Sequence, residues 1–353
     1  MQLGAPAYRA RQLVAAVHRR HVRNWDDLSD IPRALRAELQ ERYRLAALDP
    51  RAEQCSADGT IKLLLATWDG HAIETVQIPA GESGTAADHT RLTVCVSSQA
   101  GCALACTFCA TGQMGFTRNL TVGEIVEQVY LADRPGEPRR VDNVVFMGMG
   151  EPLANLEAVI GTVRLLGEPA GYSFSPRRIT ISTSGLVPQM RRLADQNLPV
   201  RLAVSLHAAN DELRSQIMPI NRRFPLADVL AAARDYAERS GRRVSFEYVM
   251  LDGVNDAPGH AAELAELLRG EPAHVNLIPY NETGADYGAT PPARIRAFAR
   301  TVQARGVPCS IRASRGRDIA AACGQLKVES GMSSPTGSGR GALRGLPRSA
   351  VRG

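Results

Sequence analysis

The chain has 353 residues, of which 44% are hydrophobic, so it can bury one large core with smaller additions. No apolar run approaches the roughly 20 residues that a membrane-spanning helix needs, and residues 1–25 carry arginines throughout, unlike a secretory signal. The formal net charge of +6 suits an acidic partner such as RNA, and we expect a soluble cytoplasmic protein that binds no membrane.

The first predicted elements are helices. Residues 7–45 are typical of a small helical module, because Leu13, Val14 and Val17 recur at helical spacing. Asp30 stands just before an Ile-Pro pair, where it is predicted to be the N-cap of a helix. The module is basic, which suits contact with a polyanion but is equally typical of a solvated surface.

A hairpin is predicted next. Residues 61–67 and 72–78 alternate between apolar and polar positions, and the Trp-Asp-Gly sequence at 68–70 is typical of the turn between two strands. Residues 80–90 are small and polar, so we expect a loop there.

From about residue 91 the pattern changes to strand, loop and helix, repeated six or seven times. Such alternation predicts an α/β fold with a parallel sheet, here a partial (β/α)6 TIM-like barrel. The predicted strands are 92–97, 143–147, 178–182, 201–205, 244–250, 274–278 and 308–312. The predicted helices are 122–133, 155–166, 186–196, 225–240, 258–269 and 291–305.

These elements divide the chain into four parts. In the barrel part, we expect ligands to bind at the C-terminal ends of the strands. The last residues are rich in Gly, Ser, Pro and Arg, which predicts disorder. The predicted parts are a helical module at 1–50, a hairpin and linker at 51–90, the barrel at 91–326 and a basic tail at 327–353.

Three of the seven cysteines are closely spaced after the first barrel strand. Cys102, Cys106 and Cys109 lie within eight residues, and three thiolates at such spacing can hold a cubane iron–sulfur cluster with one iron left open. An odd number of cysteines in a long chain argues against a disulfide framework. A zinc loop with a distant fourth ligand, or simply buried thiols, remains an alternative.

Other polar motifs follow the predicted strands. Glycines let a backbone approach a ligand closely, and the carboxylate of Glu151 beside Gly150 can accept hydrogen bonds from an ammonium group. Taken singly, each motif could be a turn or a helix cap. The remaining candidates at strand ends are Ser182, Ser205, Leu206, His207 and Asn281.

The C-x-x-x-C-x-x-C spacing, with Phe108 before the last cysteine, resembles the radical S-adenosylmethionine superfamily. This resemblance implies a barrel of the radical S-adenosylmethionine type and a 4Fe–4S cluster on Cys102, Cys106 and Cys109. The open iron would bind S-adenosylmethionine and reduce it to a 5′-deoxyadenosyl radical. Gly150 and Glu151 would contact the amino group of the methionine part.

A narrower resemblance comes from several motifs together. The runs at 94–101, 111–116, 148–152, 204–207 and 321–326 are similar to those of the bacterial RlmN family, which methylates C2 of adenine in 23S ribosomal RNA and transfer RNA. The resemblance implies that the N-terminal module binds RNA and that Ser182, Ser205, Leu206, His207 and Asn281 contact S-adenosylmethionine. It also implies a reducing partner such as flavodoxin, and we expect a monomer.

The resemblance implies roles for three further residues. Cys323 would accept a methyl group from one S-adenosylmethionine, and a second would yield the radical that removes a hydrogen from this S-methyl group. The methylene radical would add to C2 of adenine, and Cys95 would resolve the covalent link by forming a disulfide with Cys323. Glu74 would accept a proton. From its strand position alone, Cys95 could equally be a buried hydrophobic residue.

Some alternatives stay open on the sequence. A related antibiotic-resistance enzyme methylates C8 of the same adenine with the same two cysteines, and a zinc-stabilised RNA-binding protein would need no catalysis. Arg312, Arg315 and Arg317 could meet phosphates or be surface charges.

Overall fold

The computed structural model of this protein describes residues 6–80, 91–133 and 141–328. The predicted loop at 80–90 falls almost entirely outside these ranges, as does nearly all of the predicted tail at 327–353.

The N-terminal region is helical, as predicted. It contains α1 (Ala7–His18), a short 3-10 helix at Trp25–Asp27 and α2 (Arg33–Arg42), which pack around a small apolar centre that includes Leu28. The predicted N-cap is wrong, because α2 begins later than expected with Pro32 at the N-cap position. Asp30 therefore lies too far upstream to cap the helix, and its carboxylate accepts hydrogen bonds from Arg20 instead.

Three antiparallel strands follow: β1 (Leu48–Cys55), β2 (Ile61–Thr67) and β3 (Ala72–Pro79). The predicted hairpin is thus confirmed, whereas β1 had no sequence prediction. β1 is exposed over every residue after Leu48, so it lacks the alternation of apolar and polar side chains that identifies a strand. β3 also pairs with the first barrel strand, which joins the hairpin to the main sheet instead of leaving it in a linker.

All seven predicted barrel strands are present, and neighbouring ones run parallel. A separate two-stranded ribbon, β5 (Gln99–Gly101) with β6 (Phe116–Asn119), flanks the cysteine loop. The barrel strands are β4 (Leu92–Cys95), β7 (Val141–Phe146), β8 (Ile179–Thr183), β9 (Arg201–Ser205), β10 (Val244–Met250), β11 (Ala273–Pro279) and β12 (Cys309–Ile311). The sheet order is β1-β2-β3-β4-β7-β8-β9-β10-β11-β12.

Among the described residues β12 pairs only with β11, so the parallel part forms an open, partial barrel. Helices connect the strands, and none in the described part of the chain is long and apolar enough to cross a membrane. The six predicted barrel helices are present, whereas the short α3 and α7 had not been predicted. The helices are α3 (Ala110–Gln113), α4 (Val122–Ala132), α5 (Leu156–Leu166), α6 (Val187–Ala194), α7 (Asp211–Ile217), α8 (Leu226–Ser240), α9 (Pro258–Leu267) and α10 (Pro292–Ala304).

After β12 the chain returns across the C-terminal ends of the strands. This returning segment, residues 313–328, forms two hydrogen bonds with the start of α3, directly after the cysteine loop. The Ala110 amide donates to the Gly324 carbonyl at 2.8 Å, and the Thr111 hydroxyl donates to the Leu326 carbonyl at 2.6 Å. It is also tied to the antiparallel strands, because the Ser56 hydroxyl donates to the Asp318 carboxylate at 2.6 Å. The fold thereby carries Cys323 to the mouth of the barrel.

Candidate functional site

The three clustered cysteines lie on the loop between β5 and α3. The Cys102 amide donates to the Gly115 carbonyl at 2.8 Å, which closes the base of the loop, and Ala105 has a left-handed backbone with φ 52°. All three cysteines line one cavity of about 150 Å³ at the C-terminal ends of the barrel strands. The fold thus places them where a barrel binds its ligands.

Burial and mutual electrostatic repulsion both affect the pKa values of these thiols. Burial raises the pKa of Cys102 to about 11 and holds the pKa of Cys106 well above its usual range. The neighbouring thiols of Cys109 and Cys102 raise the pKa of Cys106 as well. Cationic iron favours the thiolate form and would offset both effects.

This donor set fits an iron–sulfur cluster better than a bare divalent ion. Three soft sulfur donors on one short loop suit a cluster with one open iron. Within the described ranges, no three His, Cys, Asp or Glu side chains are grouped as ligands of a single metal ion. The residues that would hold the cluster are Cys102, Cys106 and Cys109.

The second wall of the cavity follows β7. Gly150 has φ +98°, and a Cβ atom there would lie only 2.5 Å from the Cβ of Gln99, so only glycine fits. Glu151 is buried, and its carboxylate accepts hydrogen bonds from the amides of Leu153 at 3.1 Å and Ser184 at 2.8 Å. Burial nevertheless raises the pKa of Glu151. A bound ammonium group would stabilise the ionised form of this carboxylate and so offset the effect of burial.

The third wall comes from the ends of β8 and β9. Ser182, Ser205 and His207 line the same cavity, as predicted. His207 is neutral, because burial lowers its pKa to about 3 and its Nδ1 accepts a hydrogen bond from the Val249 amide at 3.0 Å. Its ring meets Phe108 edge-on, with 4.8 Å between ring centroids, which gives the aromatic residue of the cysteine motif a packing role.

Leu206 differs from its two neighbours. It is fully buried and does not line the cavity, so a cofactor contact could come only from its backbone. The Leu206 amide already donates to the Glu247 carbonyl at 2.9 Å, and its carbonyl accepts from the side chain of Arg214 at 3.0 Å. Its role as a contact stays a prediction.

Sequence reasoning missed Arg214, which organises this wall. It is fully buried, and besides the Leu206 bond its guanidinium donates to the carbonyls of Ser184 at 2.8 Å and Ser205 at 3.0 Å. Arg214 lies on α7, whose start was signalled by Asn210 before two acids, and the Asn210 side chain does cap the helix. Nothing in the local sequence showed that an arginine there would point inward.

Glu247 was missed as well. It lies on β10, it is buried, and it lines the cavity of the three cysteines. Its carboxylate accepts a hydrogen bond from Asn276 at 2.9 Å and lies 3.8 Å from the guanidinium of Arg312. A single acid within an otherwise apolar strand, in Val-Ser-Phe-Glu-Tyr-Val-Met, was the signal that could have identified it.

Cys323 and Cys95 meet at a second, smaller cavity of about 60 Å³. Cys323 lines this cavity and also that of the three clustered cysteines, so this residue lies between the two. Burial first, and then the nearby Cys323 thiol, raise the pKa of Cys95 to about 12. Asn281 lines this second cavity instead of the first, and its side-chain amide donates to the Cys323 carbonyl at 3.3 Å.

Glu74 lies apart from both of these cavities. It is buried on β3 and lines a third cavity, of about 690 Å³, between the antiparallel strands and the returning segment. Its carboxylate pairs with the Lys62 ammonium at 3.0 Å and accepts the Lys327 amide at 2.9 Å. The structure therefore brings Glu74 to the segment that carries Cys323 and not to the cysteine loop.

The three arginines near Cys323 have different surroundings. Arg312 is partly buried and lines both cysteine cavities. The Cys323 thiol, and to a smaller extent Glu247, raise the pKa of Arg312, whereas burial lowers it. Arg315 lines the cavity of Cys95, and Arg317 is exposed. Arg312 is thus an internal charge, whereas exposure leaves Arg317 open to an external anion.

Comparison with known proteins gives two family matches. Residues 96–265 match the model of the radical SAM superfamily, a range that covers the cysteine loop and the barrel strands β7 to β10. Residues 1–45 match the N-terminal domain model of ribosomal RNA large subunit methyltransferases.

Full-length relatives are similar throughout. A dual-specificity RNA methyltransferase RlmN of Anaeromyxobacter dehalogenans is 50% identical, covering 98% of this chain and 92% of the relative. One from Syntrophobacter fumaroxidans is 48% identical over 93% of this chain and 94% of the relative. The crystal structure of a radical SAM methyltransferase from Sphaerobacter thermophilus superposes with a TM-score of 0.87 at 51% identity, covering 92% of this chain and 94% of that one.

Proposed function

We propose the reaction of this chain from the premise that it belongs to the RlmN family of dual-specificity RNA methyltransferases. The chain is a radical S-adenosylmethionine enzyme that methylates RNA. Its proposed product is 2-methyladenosine, in both 23S ribosomal RNA and transfer RNA. The observation that supports this proposal most directly is the position of Cys323, a residue that lines both the cavity of the clustered cysteines and the cavity of Cys95.

The proposed cofactor site is the cavity of the clustered cysteines. A 4Fe–4S cluster bound there would supply the electron that cleaves S-adenosylmethionine to a hydrogen-abstracting radical. Glu151 would accept hydrogen bonds from the ammonium group of this ligand, and the backbone of Gly150 would lie close against it. The other proposed contacts are Ser182, Ser205, Leu206, His207 and Asn281.

Cys323 is the proposed methyl carrier. Its thiolate attacks the methyl carbon of a first S-adenosylmethionine, the bond from that carbon to the sulfonium breaks, and S-adenosylhomocysteine leaves. A second molecule of S-adenosylmethionine serves the radical step. Loss of a hydrogen atom from the S-methyl group leaves a carbon radical that can attack C2 of adenine, an electron-poor position that an ordinary methyl donor does not alkylate. Because this attack needs the face of the base, the adenine must be unstacked or flipped.

Cys95 is the proposed resolving thiol. Its sulfur attacks the sulfur of Cys323, the S–C bond to the modified base breaks, and the electron pair of that bond takes a proton to complete the methyl group. The products are a methylated base and a Cys95–Cys323 disulfide, which two electrons from an external dithiol return to thiols. Since burial disfavours the Cys95 thiolate, this attack requires the returning segment to open or a base to act on the thiol.

The proposed RNA contacts come from the ends of the chain. The helical module within residues 1–50 is proposed to dock RNA, and the exposed Arg317 is proposed to meet a phosphate. A flavodoxin-type protein is the proposed electron donor, and the enzyme is proposed to act as a monomer.

The deciding experiment is nucleoside mass spectrometry of 23S ribosomal RNA and transfer RNA after treatment with the reconstituted enzyme. We expect 2-methyladenosine in both pools. Finding 8-methyladenosine alone would assign the chain to the C8 reaction, and finding neither would overturn the proposal.

Anaerobic reconstitution tests the cofactor separately. The wild-type protein should bind iron and sulfide and become coloured, whereas a variant with Cys106→Ala should lose most of this absorbance. A colourless protein that retains zinc would support the non-catalytic alternative.

A further inference from the structure

The chain contains only two lysines, Lys62 and Lys327, and its other basic residues are arginines and histidines. Both lysines contact Glu74, the first through its side chain and the second through its backbone amide. Lys62 on β2 stands opposite Val76, and Glu74 on β3 stands opposite Leu64, so the two charged residues are diagonal neighbours of an antiparallel pair. Long side chains at such positions reach each other on one face of a sheet.

The pair is largely removed from water. Lys62 Nζ lies 3.0 Å from Glu74 Oε1, and the two side chains are 11% and 5% exposed. Burial raises the pKa of Glu74, whereas the Lys62 ammonium acts in the opposite direction. The ionised state of this carboxylate therefore depends on Lys62, because a buried charge that loses its partner tends to neutralise itself.

The same pair holds the returning segment on both sides of Cys323. The Lys62 ammonium donates to the Ala320 carbonyl at 3.3 Å, before Cys323 in the chain. The Glu74 carboxylate accepts the Lys327 amide at 2.9 Å, after Cys323. One ion pair thus fixes the proposed proton acceptor relative to the methyl carrier.

We propose that Lys62 is a positioning residue that keeps Glu74 ionised and aligned with the Cys323 segment, so that Glu74 can accept the proton lost from C2 of adenine. This inference rests on the proposed function, in which Glu74 is the proton acceptor. In that step the C2–H bond of the radical adduct breaks, the proton goes to the Glu74 carboxylate, and the electron pair of the bond stays on the purine ring. The one surplus electron of the adduct would return to the oxidised 4Fe–4S cluster, which would have given up one electron to form the radical. Lys62 forms and breaks no covalent bond.

Proton uptake has a structural consequence. A protonated Glu74 attracts the Lys62 ammonium and the Lys327 amide less strongly, because hydrogen bonds with a charged partner are about twice as strong as neutral ones. The returning segment is then held less tightly after the proton has left the base. This is the stage at which Cys323 must become available to Cys95.

The pH dependence of the step has a defined sign. Glu74 accepts a proton only when ionised, and removing Lys62 removes an interaction that lowers its pKa. The variant therefore needs a higher pH for the same ionised fraction, and its deficit shrinks as the pH rises. The other charged side chains that line the cavity of Glu74 are Glu282, Arg317, Asp318 and Lys327.

The test compares Lys62→Met, Lys62→Arg and Glu74→Gln with the wild-type enzyme, reconstituted with cluster, S-adenosylmethionine, reductant and an RNA fragment. An Arg191→Met variant on the outer helix α6 serves as the control for losing one positive charge. Peptide mass spectrometry measures S-methylation of Cys323 in the absence of RNA, and nucleoside mass spectrometry measures 2-methyladenosine between pH 6 and about pH 9, the range in which a buried carboxyl can titrate.

For Lys62→Met we expect normal methylation of Cys323 and a loss of roughly tenfold or more in 2-methyladenosine at neutral pH. The ~10²–10⁴-fold that a general base contributes is the upper limit of this loss. The loss should diminish at high pH, and Lys62→Arg should restore most of the activity. Wild-type turnover by Lys62→Met at every pH would overturn the inference. It would also be overturned if 2-methyladenosine fell by the same factor at every pH and methylation of Cys323 was lost as well. Normal turnover by Glu74→Gln would instead overturn the proposed role of Glu74.

Discussion

Replacement of Arg214 by Met should destabilise the protein and disorder the cofactor cavity. The Arg214 guanidinium satisfies the buried carbonyls of Ser184, Ser205 and Leu206, and methionine can replace its volume but none of its hydrogen bonds. A buried acceptor left without a partner costs about 1–3 kcal/mol, so three of them cost at least about 3 kcal/mol.

The expected change in melting temperature follows from chain length. At ~2.1 cal/mol/K per residue, the unfolding entropy of a chain of this size is about 0.7 kcal/mol/K, so a loss of about 3–4 kcal/mol lowers the Tm by roughly 4–6 °C. Differential scanning calorimetry of the purified protein measures this shift. The matched control is Arg191→Met, because Arg191 is exposed on α6 and its removal should change the Tm by less than about 1 °C.

The same variant should bind S-adenosylmethionine poorly, because Ser182 and Ser205 depend on the ends of β8 and β9 that Arg214 joins. Equal melting temperatures of Arg214→Met and Arg191→Met would refute the argument that these carbonyls depend on the guanidinium. A lower Tm with unchanged affinity for S-adenosylmethionine would refute the link between Arg214 and the cofactor wall.

Three further substitutions test the site. Cys95→Ala should trap protein covalently on RNA, seen as a slow band on a denaturing gel, and normal turnover would exclude Cys95 as the resolving thiol. Cys323→Ala should abolish methylation without any trapped band, and a trapped band would show that another residue carries the methyl group. Gly150→Ala should weaken S-adenosylmethionine binding at least about tenfold, equivalent to ~1.4 kcal/mol. The reason is that the new Cβ would lie 2.5 Å from Gln99. Equilibrium dialysis measures the affinity, and an unchanged value would contradict this prediction.

Local sequence determined much of the fold. The barrel strands and the helices between them combine long apolar runs with helical periodicity, and seven predicted strands and six predicted helices are present. The cysteine motif could be identified equally well from the sequence, because its three cysteines lie on one short loop. Such features depend on residues that are neighbours in the chain, so the sequence alone contains their geometry.

Tertiary structure decided what the sequence could not. β1 is an exposed strand that exists because β2 offers it hydrogen bonds, and α7 is short, so neither has a strong periodic signal. Arg214 is an arginine in an ordinary helical sequence, and only packing shows that it points into the protein.

The proposed catalytic residues show the same division. The sequence and its family resemblance supplied the identities of Cys95, Cys323 and Glu74, but not their arrangement around the returning segment. That arrangement joins residues more than two hundred positions apart, such as Lys62 with Ala320 at 3.3 Å. No local pattern specifies such a contact, because it forms only when the chain folds back across the mouth of the barrel.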